Sequence, residues 1–226
     1  MSVAPLVSAV RDALRDEADP EQAPTMQAYM KSAMPFRGVR LPRVRRLTDE
    51  AVAAHPLLTL DEVETAVMTL WDEAVFREER YAATALTGHP LAAGRLEMLP
   101  VYEHIAVTGA WWDHVDAICG RIATLHDTRP VETAEIVRHW ARSDDRWLRR
   151  LAIISQLGRR ERVDTGLLAE VVELNAADRE LFVRKAIGWA LREYARVDPD
   201  WVRAFVATHA GTLSGLSKRE ALKHVG

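Results

Sequence analysis

Apolar positions recur along this chain with a helical period. Ala, Leu, Glu and Arg dominate the periodic segments, and no clean alternation of five or more residues marks a strand. Proline interrupts the pattern at short intervals: Asp19-Pro20, Met34-Pro35, Leu41-Pro42, His55-Pro56, Gly88-His89-Pro90, Leu99-Pro100, Arg129-Pro130 and Asp198-Pro199. Between these breaks the spacing predicts helices of roughly 10–16 residues, about twelve in all and mostly paired. Thr48 with Glu50, and Ser143-Asp144-Asp145 before Trp147, read as N-terminal capping signals. Short paired helices without strands predict an all-α fold, an α-solenoid of HEAT-like helical repeats with a period of about 40 residues. No tight repeat consensus is visible, so a compact bundle fits the same pattern. A solenoid would offer a concave face to a partner. The whole chain, residues 1–226, is expected to form one domain.

Three helices carry unusual faces. In residues 111–123, Trp111, Val115, Ile118 and Ile122 fall in one apolar stripe. Trp112 and Asp116, one turn apart, share a neighbouring face followed by Cys119, Gly120 and Ala123, while Asp113 and His114 point elsewhere. Trp112 is then either a second core ring beside a solvated Asp116, or part of a functional surface with it. In residues 145–157 the apolar stripe is Trp147, Leu151, Ile154 and Leu157. Arg149 lies opposite and reads as solvent-facing, whereas Arg150 lies inside the apolar sector. A guanidinium there must snorkel, pair with a carboxylate, or meet an anion at the lip of a cleft.

In residues 179–196, Val183, Ala186, Ile187, Ala190, Leu191 and Tyr194 form the core face. Lys185, Trp189, Arg192 and Arg196 form a stripe roughly opposite. A tryptophan amid cations is either packed by arginine stems or by a neighbouring helix, or exposed to a nucleic acid or cationic ligand. Gly188 beside it weakens the helix by about 1 kcal/mol relative to alanine and is expected to leave an open approach to the ring.

Composition narrows the function classes. Apolar residues make up 48% and charged residues 28%, a globular profile. The single cysteine, Cys119, excludes an internal disulfide and fits a reducing, cytoplasmic setting. Neither a signal peptide nor a run of roughly 18 uncharged apolar residues is present, so no membrane association is expected. The net charge of −3 argues weakly against nucleic acid. It conceals an asymmetry, because residues 1–110 hold 11 basic and 16 acidic side chains and residues 111–226 hold 19 and 17. Local basic clusters matter more to a phosphate surface than the total. The chain lacks the common nucleotide-binding, zinc-protease, nucleophile-elbow and CxxC motifs, and its histidines form no ligand-spaced cluster. No cofactor or metal is expected. His114 and His224 read as surface residues.

The segments WWDHVD (111–116), WLRRLAIISQL (147–157), KAIGWALREYA (185–195), LSKREALKH (216–224) and AYMKSAMPFRGV (28–39) closely resemble the AlkD-like family of bacterial DNA alkylation repair glycosylases, built from HEAT-like repeats. The resemblance covers nearly the whole chain. It implies a concave DNA-binding cleft and excision of cationic N3- or N7-alkylated purines from duplex DNA, with the protein a monomer, cytoplasmic and nucleoid-associated when bound. Carried over, Asp116 is the catalytic carboxylate, Trp112 and Trp189 are aromatic walls, and Arg150 completes the cleft. Tyr29 is a further aromatic at the DNA surface. Lys31, Arg37, Arg40, Lys185, Arg192, Lys218, Arg219 and Lys223 are candidate phosphate contacts. The 37–40 loop, Arg-Gly-Val-Arg, is more basic than the family pattern and bears on adduct tolerance.

The chemistry suits these residue types. An N3- or N7-alkylated purine is already a cationic leaving group, so positive charge develops on the deoxyribose. A carboxylate stabilises that charge and orients water, and the aromatic faces favour the sugar and the cationic base. Most glycosylases flip the target base into a pocket. The family resemblance implies that this one need not, so bulky adducts would be tolerated. Two other readings are a relative specialised for bulky natural-product adducts, serving self-resistance, and a non-catalytic HEAT-like scaffold binding DNA or protein.

Overall fold

Proline placement explains much of the helix order in the computed structural model, which describes residues 2–225. Thirteen α-helices and three short 3-10 turns are formed, with no strand among the described residues. Four of the proline dipeptides lie at helix starts. Leu41-Pro42 opens α3 (Leu41–Ala54), Leu99-Pro100 opens α6 (Leu99–Gly109), Pro130 opens α8 (Pro130–Ala141) and Pro199 opens α12 (Pro199–Thr208). A proline in the first turn lacks only an N–H that would have no helical partner.

The chain divides into two compact units after Val101. The first holds α1 (Ala4–Asp16), α2 (Ala23–Met30), α3, α4 (Leu60–Asp72) and α5 (Arg77–Leu86). Here α1 packs against α3, α4 and α5, around Leu6, Val10, Leu14, Val44, Val63, Val67 and Leu70. The fully buried carboxylate of Glu78 accepts the backbone N–H groups of Arg37, Gly38 and Val39, which fixes the basic 37–40 loop. Three charge-assisted bonds offset the burial of that charge.

The second unit runs from Tyr102. It holds most of α6, then α7 (Trp112–Thr128), α8, α9 (Arg146–Ile154), α10 (Thr165–Asn175), α11 (Leu181–Tyr194), α12 and α13 (Gly215–Ala221). The central element is α9, which packs against α7, α8, α10 and α11, while α11 also packs on α13. Val115, Ile118, Ile122, Leu151, Ile154, Val183, Ile187 and Leu191 are all sealed from solvent, as their stripes predict. Asp145 caps α9, its carboxylate accepting from the N–H groups of Trp147 and Leu148 at 2.7 and 3.1 Å.

Several expectations need correction. Thr48 is no cap: it is buried in the middle of α3, and its hydroxyl donates to the Val44 carbonyl at 2.8 Å. His114 is fully buried rather than at the surface, because it lies beside the α7 core stripe. Gly188 gives no open approach. A Cβ there would meet Glu220 Cβ at 2.6 Å and the Ser217 carbonyl at 3.1 Å, so the glycine lets α13 approach α11. The Ser217 hydroxyl, itself buried, closes this contact by donating to the Arg184 carbonyl at 2.9 Å.

Candidate active site

Three helices of the second unit supply the candidate residues, and α9 links them. Trp112 and Asp116 sit in the first two turns of α7, on one face. Arg150 is on α9, and Trp189 is on α11, two turns from its start. Both α7 and α11 pack against α9. Trp112 and Trp189 are each half-buried, which suits rings with one face on the protein and one toward a ligand.

Asp116 and Arg150 come together. Arg150 Nε donates to Asp116 Oδ1 and a terminal nitrogen donates to Oδ2, both at 2.8 Å. The other terminal nitrogen donates to the Phe182 carbonyl at 2.7 Å, at the head of α11. This resolves the odd placement of Arg150 in an apolar sector, because the guanidinium spends its donors on α7 and α11. The Arg150 side chain is 5% exposed and that of Asp116 18%, so the carboxylate faces outward while its holder lies beneath. Burial pushes the Asp116 carboxyl above its usual range, against the lowering pull of the Arg150 fork, and nearby Asp113 adds to the rise.

Trp111 divides from Trp112 as its stripe predicts, with one refinement. It precedes α7 in extended conformation, half-buried, and its ring meets Phe182 at 5.3 Å and Trp147 at 6.2 Å. Phe182 and Trp147 complete the cluster at 5.2 Å. These rings tie together the starts of α7, α9 and α11, the elements that carry the site. Ala110, just before, adopts a left-handed φ of 44° to make the turn.

The other assigned residues divide by partner. Tyr29 is 75% exposed in the last turn of α2, and Lys31 follows as an exposed left-handed cap. Arg40 is exposed at the cap of α3. Arg37 is held inside the first unit, 3.6 Å from Glu79 and stacked over Phe76 at 3.9 Å. In the second unit Lys185, Arg219, Lys223 and His224 are exposed. Arg192 pairs with Glu220, and Lys218 Nζ donates to the Ala210 carbonyl at 2.7 Å. Among the described residues no three His, Cys, Asp or Glu side chains are grouped to hold a metal ion.

Sequence reasoning missed Phe182 and Arg149. Arg149 does not face open solvent: it pairs with Asp178 at 3.0 Å and donates to the Ser143 and Asp144 carbonyls, each at 2.8 Å. The adjacent arginines 149 and 150 were the available signal, since a second charge beside a buried one often has its own partner.

The described residues form an all-α protein that presents a carboxylate held by a buried arginine, next to a half-buried tryptophan on the same helix face. The family model for DNA alkylation repair enzymes matches residues 10–225. The chain belongs to the DNA alkylation repair enzyme family. It is also similar to a solved structure from Enterococcus faecalis described as a predicted DNA alkylation repair enzyme. The two share 27% identity over 92% of this chain and 97% of that one, with a TM-score of 0.82. No curated protein matches the sequence. Membership supports a role in the repair of alkylated DNA. No described helix is long and apolar enough to cross a membrane.

Proposed function

We propose that this protein is a monofunctional DNA glycosylase that hydrolyses the N-glycosidic bond of cationic N3- or N7-alkylated purines in duplex DNA. The observation that carries the reading is the Asp116 carboxylate, outward-facing and gripped by the Arg150 fork on the face it shares with Trp112. As the C1′–N bond breaks, its electron pair moves onto the base and neutralises it, leaving positive charge on the sugar. Asp116 stabilises that charge, and Trp112 and Trp189 present their negative ring faces to the sugar and the cationic base. Water adds to C1′ and its proton passes to Asp116, whose raised pKa suits it to accept one. The products are the neutral alkylpurine and an abasic site.

Arg150 orients the carboxylate: three of its five N–H groups are spent on Asp116 and Phe182 and its side chain is only 5% exposed, so backbone phosphates fall to the exposed cations. None of the four assigned residues is a lysine, so no Schiff base forms and the strand is not cleaved. Duplex recognition would draw on the exposed Tyr29, Lys31, Arg40, Lys185, Arg219 and Lys223, with Arg37, Arg192 and Lys218 available if their internal partners release them.

Incubation with duplex DNA containing 7-methylguanine, followed by an assay for abasic sites, tests the reading. Release well above that of Asp116→Asn supports it. Equal release by the two proteins would sink it.

A further inference from the structure

Arginines 146, 149 and 150 lie within little more than one turn of α9, and all three reach the same short segment, residues 178–182, that leads into α11. Arg150 holds the Phe182 carbonyl at 2.7 Å. Arg149 holds Asp178 at 3.0 Å, with the two side chains 17% and 13% exposed. Arg146 reaches Glu180 at 3.0 Å, but from solvent, with both partners nearly half exposed.

The three contacts are unequal. Exposed pairs contribute little, so Arg146 is a minor holder. Arg149 is anchored at both ends. Its terminal nitrogen donates to the Ser143 and Asp144 carbonyls in the turn between α8 and α9, while its Nε takes Asp178. Asp178 spends its second oxygen on the Glu180 N–H at 2.8 Å. The segment behind it is fixed as well: Asp178 N–H donates to the Asn175 carbonyl, and the buried Asn175 amide donates to Ala141 and Val171 carbonyls. Glu180, at the cap position of α11, makes no side-chain capping bond, so the helix start depends on these contacts from α9.

We propose that Arg149 and Asp178 form a positioning pair for the reaction centre. They fix the path of residues 178–182, and through the Phe182 carbonyl they fix the guanidinium that orients Asp116. The same path sets where α11 begins, and therefore where Trp189 stands two turns on. Neither residue touches substrate. The inference rests on the assignment of Asp116 as the acting carboxylate.

The test compares wild type with Asp178→Ala, Arg149→Ala, their double variant and Arg146→Ala. The readouts are single-turnover excision of 7-methylguanine, DNA affinity, and the titration of Asp116 followed by carboxyl carbon-13 NMR. Each inner variant is expected to lower the excision rate roughly tenfold while leaving DNA affinity in place, since small misplacement of reacting groups acts on the chemical step. The double variant is expected to be no slower than the worse single one, as for residues acting as a unit. Asp116 is expected to titrate higher in each by about half a pH unit, because Arg150 is held less well. Arg146→Ala is expected to match wild type. Asp178→Asn, which keeps the bond to the Glu180 N–H, serves if the alanine variant does not fold by circular dichroism. An unchanged excision rate and Asp116 titration in a folded Asp178 variant would overturn the proposal. If wild type releases no alkylpurine yet Asp116 still shifts with Asp178, the positioning stands and the glycosylase reading falls.

Discussion

Asp116 on α7 and Arg150 on α9 lie 34 positions apart in the chain and share two parallel hydrogen bonds of 2.8 Å. The acid faces outward and the base lies almost wholly beneath it. The pair therefore presents a charged oxygen at the surface while its geometry is set from inside. That division is what an electrostatic catalyst requires, since donors and dipoles fixed before reaction need no reorganisation during it.

Removing the inner partner should be expensive. Arg150→Ala leaves a carboxylate of 18% exposure without its counter-ion and frees the Phe182 carbonyl. Loss of about 3 kcal/mol in urea unfolding is expected, the low end for breaking a buried pair. Arg150→Lys is expected to recover part of that stability but little excision, because an ammonium cannot grip both oxygens and the carbonyl together. Full activity in the lysine variant would show that charge alone suffices.

The rate should depend on pH through the same carboxylate. Burial raises the Asp116 pKa above the ordinary aspartate value of 3.8, with Arg150 pulling the other way. In the proposed mechanism the ionised form does the work, so excision is expected to fall as pH drops through the raised folded value. The stability effect has the opposite sign. A folded state that binds this proton more tightly than the unfolded one gains stability from Asp116 in acid and loses it as pH rises through the folded pKa. Single-turnover rates from pH 4 upward, corrected for uncatalysed loss of base, check the acid limb. A rate still above half its plateau at about pH 4 would contradict the burial argument.

Two helical glycines should respond in opposite directions to alanine. Gly188→Ala gains intrinsic helix propensity but drives a Cβ to 2.6 Å from Glu220 Cβ. Backbone and a Cβ cannot swing aside, so a net loss of about 1–3 kcal/mol is expected. Gly120, exposed on α7, has open space around it, and a Cβ there would meet nothing within 4 Å. Gly120→Ala is expected to gain up to about 1 kcal/mol. Thermal unfolding of the two variants side by side decides the point, and a stable Gly188→Ala would mean that α13 is not packed tightly on α11.

The two glycines also show how far the sequence could be read. Core stripes such as Val115, Ile118 and Ile122, and the Asp145 cap, depend on spacing within one helix, and both were legible. The Trp111 and Trp112 division followed from the same angular argument. Gly188 and Arg149 were misjudged because their surroundings come from other helices. Gly188 meets Ser217 and Glu220 from a later helix, and Arg149 meets Asp178, 29 positions away. The Asp116–Arg150 bridge stood among the alternatives for a buried arginine, yet angular position on one helix cannot name a partner on another. Thr48 misled for a related reason: a hydroxyl that could cap a helix start can equally bond back one turn inside it.

A buried histidine should make the second unit sensitive to acid apart from the reaction centre. His126 on α7 is 4% exposed, and its Nε2 lies 3.2 Å from the Ser155 hydroxyl. Burial and the Arg159 guanidinium lower its pKa to about 4, with Asp164 and Asp127 opposing them. The ring is therefore neutral in the folded protein at pH values where the unfolded chain, titrating near 6.5, already binds a proton. Unfolding takes up that proton, so this contribution to stability is lost as pH falls from about 6.5 toward 4. Between pH 7.5 and 5 the loss is about 2 kcal/mol from this group. His126→Gln keeps a hydrogen-bonding partner for Ser155 and cannot titrate. Urea unfolding of both proteins at the two pH values isolates the effect, with the wild type expected to lose more stability than the variant by about that amount. Equal losses would place the acid sensitivity in other groups, Glu170 first among them, since hydrogen bonds from Arg138 and then Arg142 hold its carboxyl below the usual range.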